Sequence, residues 1–429
     1  MDWIDVSTLI LRNVLIVAII LGIAPVLVWL ERRGSGIIQD RPGPERAAIG
    51  PFRLFGLLHP LADGIKLISK EFHIPENGNK FYFVIAPMIA LGIPLITMAI
   101  VPFWDDIHMP DGRTVVGQVI NLDVGLLWFF AIVSLTVFAA IFAGWSSNSK
   151  YPLLGAMRAS AAVLSYEIPM GLAVIGALMA YGTINLPEIV QMQAGTWWGL
   201  IPKWGVFFQP LGALIFLVCA FAETNRAPFD MAEAEPELVA GYHTEYSGMG
   251  FGMFLFSEYA AMLVSSGILV TLYFGGWQVP WLSTADLITH AQLITQWSLA
   301  IAFGLSLLLA AVFLVGFAHN LGTWKDWRDY EGLILALLVL GGGFTALLGL
   351  FFSMAIVLPA WYGPIFAAVA QFGILVAKLL FFCWIFVWVR WTLPRFRYDQ
   401  VMNLGWRSLL PLALVNILLT GILIMVLKL

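Results

Sequence analysis

Six carboxylates crowd the segment 223–245: Glu223, Asp230, Glu233, Glu235, Glu237 and Glu245, set against the single cation Arg226. Glu233 and Glu237 are one helical turn apart, where like charges repel. Phe229, Met231, Leu238, Val239, Tyr242 and Tyr246 interleave them. Carboxylates crowded among apolar groups do not all ionise, and some titrate near neutral pH as coupled sites. Such a cluster takes up and releases protons as a nearby charge comes and goes, which is what a proton-coupled machine needs. The same composition also suits a solvated acidic loop. Three more ionisable residues, Glu167, Glu258 and Lys378, fall inside apolar runs. A charge there costs at least ~2.5–3.5 kcal/mol on insertion scales. Each is either a structural partner across a helical bundle or part of a proton relay.

Redox groups are missing from the pattern. His59, His73, His108, His243 and His290 lie between apolar runs and His319 at the end of one, which does not suit haem ligation inside a bundle. Cys219 and Cys383 are too few for a cysteine-ligated iron–sulfur cluster. No metal site is expected. If the chain serves redox chemistry, the carriers sit on partner subunits. Gly248, Gly250 and Gly252 lack the nucleotide-binding fingerprint and follow no strand.

The elements that must hold these residues are membrane helices. Of 429 residues 60% are hydrophobic and 11% charged, against ~25% charged in soluble domains. Apolar runs of the ~20 residues that cross a bilayer fall near 9–30, 81–103, 124–144, 160–181, 206–222, 251–274, 296–318, 332–358, 365–391 and 408–427. The fold expected is an all-α, polytopic transmembrane bundle of about ten spans, with no separate soluble domain. The first run lacks a basic start and reads as a retained span. Loops 31–80, 145–160, 223–250, 319–330 and 390–407 hold 17 of the 22 Lys and Arg residues. The positive-inside rule makes those loops cytoplasmic and both termini non-cytoplasmic. Within 31–80, Leu61, Ile65, Ile68 and Phe72 share one helical face and Asp63, Lys66 and Lys70 another. That pattern fits an interfacial helix, or one packed on the bundle or a partner. The net charge of −4 excludes a nucleic-acid binder.

The motifs have a family likeness. Glu31-Arg32-Arg33, Arg41-Pro42-Gly43-Pro44, Ala62-Asp63-Gly64-Ile65-Lys66, Gly144 to Tyr151, Ser165-Tyr166-Glu167, Glu223 to Tyr246 and Arg390 to Gln400 occur in order along nearly the whole chain. In these the chain resembles the H-type membrane subunits of bacterial NADH:quinone oxidoreductase, respiratory complex I. The resemblance implies a multi-pass subunit of the bacterial inner membrane that forms most of a quinone-access tunnel and couples quinone reduction to proton translocation. By position it makes Arg32, Arg33, Asp63, Arg226, Phe229 and Asp230 tunnel and docking residues. It makes Glu167, Glu223, Glu233, Glu235 and Glu245 proton-coupling residues, with no catalytic residue in this chain. The implied partners are the quinone-site and iron–sulfur subunits of the peripheral arm and the small membrane subunits. Quinone is implied as substrate at their interface, with no resident cofactor. Arg390, Arg395 and Arg397 suit docking and orientation.

The chain departs from the family pattern at His59 and Ala162, where Gln is usual, and at Pro236. It also adds two runs to the usual eight, giving an inserted helix pair within 296–358. The alternative is an anchor subunit of a membrane-bound hydrogenase or formate hydrogenlyase, in which the Glu223–Tyr246 block should be less complete. A stand-alone ion transporter would show repeats or broken helices at the midplane, and the sequence has neither signature.

Overall fold

The computed structural model describes residues 3–50, 53–110, 112, 114–231, 239–321, 330–355 and 358–427. Helices follow the apolar runs: α1 Trp3–Ile38, α2 Leu58–Ser69, α3 Lys80–Met98, α4 Gly125–Val133, α5 Thr136–Ser146, α6 Lys150–Tyr181, α7 Pro210–Glu223, α8 Gly248–Tyr273, α9 Ala291–Asn320, α10 Glu331–Ala355, α11 Tyr362–Thr392 and α12 Leu410–Leu427. Among the described residues, eight helices are long and apolar enough to cross a membrane, counting α4 with α5 and Tyr398–Val426 as single rods. The helix α1 carries the first expected run, and α7, at 14 residues, the short fifth one. Among the described residues, paired strands form two small antiparallel hairpins, with Ile107 opposite Val115 and Trp197 opposite Ile201.

The bundle packs around α8, of which 72% of the most apolar window is buried. Tyr166 and Met170 of α6, Phe216 and Cys219 of α7, and Leu263 and Tyr273 of α8 share one core. The inward face of α6 is rich in Ala156, Ala159, Ala162, Ala173 and Ala177, all buried. Small side chains let helix backbones approach closely where lipid supplies no hydrophobic drive. At Gly34 the indole of Trp391 lies directly where a Cβ would go, locking α1 against α11. By contrast only 6% of the α9 window and 11% of the α10 window are buried. This pair therefore packs mainly on itself, at the edge.

One break was not foreseen. The run 124–144 is split at Ser134–Leu135 into α4 and α5. Ser134 Oγ donates back to Phe130 O at 2.8 Å, a bond that bends helices. The helix α2 forms as its spacing requires, and its apolar residues face away from the bundle: Leu61, Ile65 and Ile68 are exposed, Ile68 at 73%. Its other side packs on α1 and α8, with Leu67 against Gly252, so the helix is seated on the chain's own bundle while this apolar face stays open.

The charge bias makes a direct expectation for orientation. In right-side-out vesicles, an impermeant thiol reagent will label Lys203→Cys and leave Glu76→Cys untouched until the membrane is opened, both positions being exposed. The reverse pattern would overturn the topology.

Candidate functional site

The loop after α7 turns Arg226 inward, where it is 4% exposed. Its Nη1 donates to Glu31 Oε2 of α1 at 3.2 Å, and its Nε lies 3.4 Å from Glu258 Oε2 of α8. The guanidinium also stacks over the Tyr259 ring at 4.0 Å. Tyr259 Oη donates to the same Glu31 oxygen at 2.9 Å, while the other Glu31 oxygen takes Arg390 of α11. Burial opposes the charge on Arg226, but Tyr259, Glu258 and Glu31 outweigh it and hold the guanidinium protonated above its ordinary range. One cation thus joins two carboxylates that belong to different helices and face different spaces.

On one side lies the surface of α1 and the loops around it. Arg32 pairs with Asp63 of α2, and Arg33 with Glu45, Arg33 also donating to Pro42 O at 2.5 Å. Glu31 and Arg390 border an open cavity of about 300 Å³ together with Ser35, Ile38, Gln39 and Trp391. Asp230, 4% exposed, accepts from Arg395 Nη2 at 2.8 Å, and Phe229 packs between Tyr166 and Phe396 at 5.3 and 5.5 Å. His59 Nε2 accepts from the backbone N–H groups of Arg46 and Ala47 at 3.0 and 3.2 Å. It therefore pins the loop that carries Glu45.

On the other side lies a cavity of about 60 Å³ lined by Glu223, Asn225, Glu258, Thr136, Ser160 and Tyr242. Glu223 Oε2, Asn225 Oδ1 and Thr136 Oγ1 are buried there and have no hydrogen-bond partner among the described residues. A polar cavity with such groups suits bound water, which needs only ~10–15 Å³ of this measure per molecule. Glu167 is half-buried and accepts from Ser134 Oγ at the break between α4 and α5. His243 is buried beside this region; burial pushes its imidazole down to about 4 against the pull of Asp230. Burial therefore favours its neutral form.

The site residues expected from sequence divide accordingly. Arg32, Arg33, Asp63, Arg226, Phe229 and Asp230 gather around α1, the 223–231 loop and the segment after α11. Glu223 lines the inner cavity, Glu167 stands on the adjacent helix, and Glu245 is half-buried after the turn Gly241–His243. Glu233, Glu235 and Pro236 lie outside the described residues. Sequence reasoning passed over Glu31, which looked like a charge flanking a span, and left Glu258 open; both are the partners of Arg226. It assigned Arg390 and Arg395 to docking and to orienting the last spans, and both pair within the chain, with Glu31 and Asp230. Lys378 takes the structural option: its Nζ donates to Phe274 O, Gly276 O and Gln278 O, each at 2.9 Å. That is a cation at the C-terminal end of α8, where the helix dipole favours it. Among the described residues no group of three or more His, Cys, Asp or Glu is placed to hold a metal ion.

The family model described as NADH dehydrogenase matches residues 11–323 and 327–421. The chain is 40% identical over 427 residues to the H subunit of NADH-quinone oxidoreductase from Flavobacterium psychrophilum, covering 99% of this chain and 100% of that protein. It is 40% identical to the NADH-quinone oxidoreductase subunit 8 of Rhodothermus marinus, over 95% of this chain and 94% of the relative. With the H subunit of the Bdellovibrio bacteriovorus enzyme the identity is 36%, over 96% and 95%.

Proposed function

The chain belongs to the NADH dehydrogenase family, and from that premise we propose that it forms the quinone-access path of a complex I and starts the proton-coupling route. It is a membrane subunit of NADH-quinone oxidoreductase and part of that enzyme. The observation that carries the finer reading is Arg226, buried and shared between Glu31 and Glu258. The Glu31 side, with Arg32, Arg33, Asp63, Phe229 and Asp230, is where a quinone headgroup arriving from the lipid meets the peripheral-arm subunits. Reduction of that headgroup draws protons and changes the local charge. Glu31 and Glu258 compete for one guanidinium, so a charge change at Glu31 alters how strongly Arg226 holds Glu258. Glu258 shares its cavity with Glu223, and Glu167 stands nearby; these, with Glu233, Glu235 and Glu245, are the groups that take up and pass on protons.

The remaining parts follow from the same reading. Ten helices span the bacterial inner membrane, with both termini outside the cytoplasm. The loops 31–80 and 223–250 meet the quinone-site and iron–sulfur subunits, small membrane subunits flank the bundle, and residues 296–358 form a lateral helix pair. The hydrogenase-anchor alternative has no specific observation in its favour. A tag on this chain will bring down an NADH-oxidising flavoprotein and quinone reductase activity from detergent-solubilised membranes. Recovery of a nickel–iron hydrogenase instead would overturn the assignment.

A further inference from the structure

The helix pair α9 and α10 leaves most of its apolar surface bare, yet it is tied to the rest of the chain at both ends. Near its first turn, Thr295 Oγ1 lies 2.6 Å from Tyr362 Oη of α11. Gln292 and Gln296 of α9 donate to Ser353 O of α10 at 2.8 and 3.1 Å, which closes the pair on itself at that end. Near the other end, the Phe313 ring of α9 stacks on Phe55, with centroids 5.8 Å apart and planes at 23°.

Phe55 occupies an unusual stretch of backbone. Leu54, Phe55 and Gly56 have φ of +47°, +53° and +89° in succession. Side chains at the first two make this left-handed region unfavourable, and such strain persists only where the surroundings impose it. Pro44 packs directly on Gly56, and two further contacts hold Phe55. Trp29 Nε1 of α1 donates to Phe55 O at 2.8 Å, and Phe313 covers the Phe55 ring. The turn runs without a linker into α2, which begins at Leu58. On α2, Asp63 pairs with Arg32, the neighbour of Glu31, and Leu61, Ile65 and Ile68 face outward.

We infer that the inserted pair is a positioning element for α2: the Phe313–Phe55 stack fixes the turn 54–56, and that turn sets the angle of α2 against α1. A 12-residue helix is a lever of roughly 18 Å. Relaxing Leu54 and Phe55 into the right-handed region turns this lever about its root and carries Ile68 through several ångströms. This rests on the quinone reading of the α1–α2 face. There, the outward apolar face of α2 guides the isoprenoid tail of a lipid-soluble quinone, and Phe313 acts on quinone capture without touching a reacting atom.

The test uses the assembled complex in lipid, comparing Phe313→Ala with Phe313→Tyr, which keeps the ring, and with Phe313→Leu, which keeps bulk without a flat face and serves if the Ala variant assembles poorly. Spin labels at Ile68→Cys and Val26→Cys, both exposed, report the α1–α2 distance directly. The distance distribution will stay narrow in the parent and the Tyr variant and broaden in the Ala and Leu variants. The KM for a long-tailed quinone will rise about fivefold in the Ala and Leu variants with kcat held within about twofold. A tail-less analogue and NADH oxidation by ferricyanide will be unaffected. An unchanged distance distribution in these variants overturns the positioning role. Broadening with unchanged KM leaves that role standing and removes the quinone reading of α2.

Discussion

Arg226→Leu will remove quinone-linked turnover and most of the assembled complex with it. The side chain neutralises two carboxylates in a nearly solvent-free place, Glu31 at 3.2 Å and Glu258 at 3.4 Å, and fills the space above Tyr259. Removing one partner of a buried ion pair leaves an uncompensated charge and typically costs about 3–5 kcal/mol. Here two carboxylates lose their partner at once, although Arg390 still holds the other Glu31 oxygen. Arg226→Lys will be intermediate: it keeps the charge, but an ammonium lacks the planar fork that reaches both carboxylates while lying on the ring. The amount of intact complex on a native gel and the turnover per intact complex separate the two losses. Normal values for both in Arg226→Leu would show that the bridge carries neither stability nor coupling.

The second large effect falls on the acids that Arg226 does not neutralise. Glu223→Gln will lower NADH:quinone turnover by about tenfold or more, a loss within the range expected for a group that moves protons. Gln keeps the shape and one acceptor oxygen, so the cavity with Asn225 and Thr136 survives while the titrating group is lost. Glu233→Gln and Glu235→Gln will impair turnover in the same direction, since each proton held in that run alters its neighbours' affinity for the next. Glu188→Gln also removes one carboxylate, but Glu188 is exposed and accepts from the Thr183 hydroxyl in the loop before it, so this variant will stay within about twofold of the parent. NADH oxidation by ferricyanide, which bypasses the quinone step, will be unchanged in all four. Equal effects in Glu223→Gln and Glu188→Gln would mean that burial of the acid has no bearing on activity.

Much of this architecture can be read before any coordinates, because membrane insertion writes itself into hydropathy. The apolar runs became helical, one of them as the two pieces α4 and α5, and most of the short run at 206–222 became the short α7. The break at Ser134 escaped notice because both halves are apolar and a serine back-bond leaves no trace in composition. Ionisable residues were harder to judge. Glu167 and Glu258 stood out by lying within apolar runs, and both carry polar contacts in the bundle. Lys378 stood out for the same reason, but three carbonyls at the end of α8 account for it. Glu31 did not stand out, since a carboxylate beside two arginines at the end of a span resembles an ordinary surface flank. Only the approach of α1, α8 and the 226 loop turns it into the hinge of the site. The pairs that Arg390 and Arg395 make were illegible for a related reason: a basic cluster after the ninth run reads as cytoplasmic surface, and its partners Glu31 and Asp230 lie far away in sequence.

The proposed coupling of quinone reduction to proton movement through the buried acids beyond Arg226 has a direct test. Purified complex carrying Glu223→Gln, reconstituted into sealed proteoliposomes, tests it through acidification of the lumen on NADH addition, with Glu188→Gln and the parent alongside and the ferricyanide rate used to normalise enzyme content. The Glu223→Gln vesicles will acidify at about a tenth of the parent rate or less, while the Glu188→Gln vesicles will match the parent. Parental acidification and quinone reduction in Glu223→Gln would contradict that coupling.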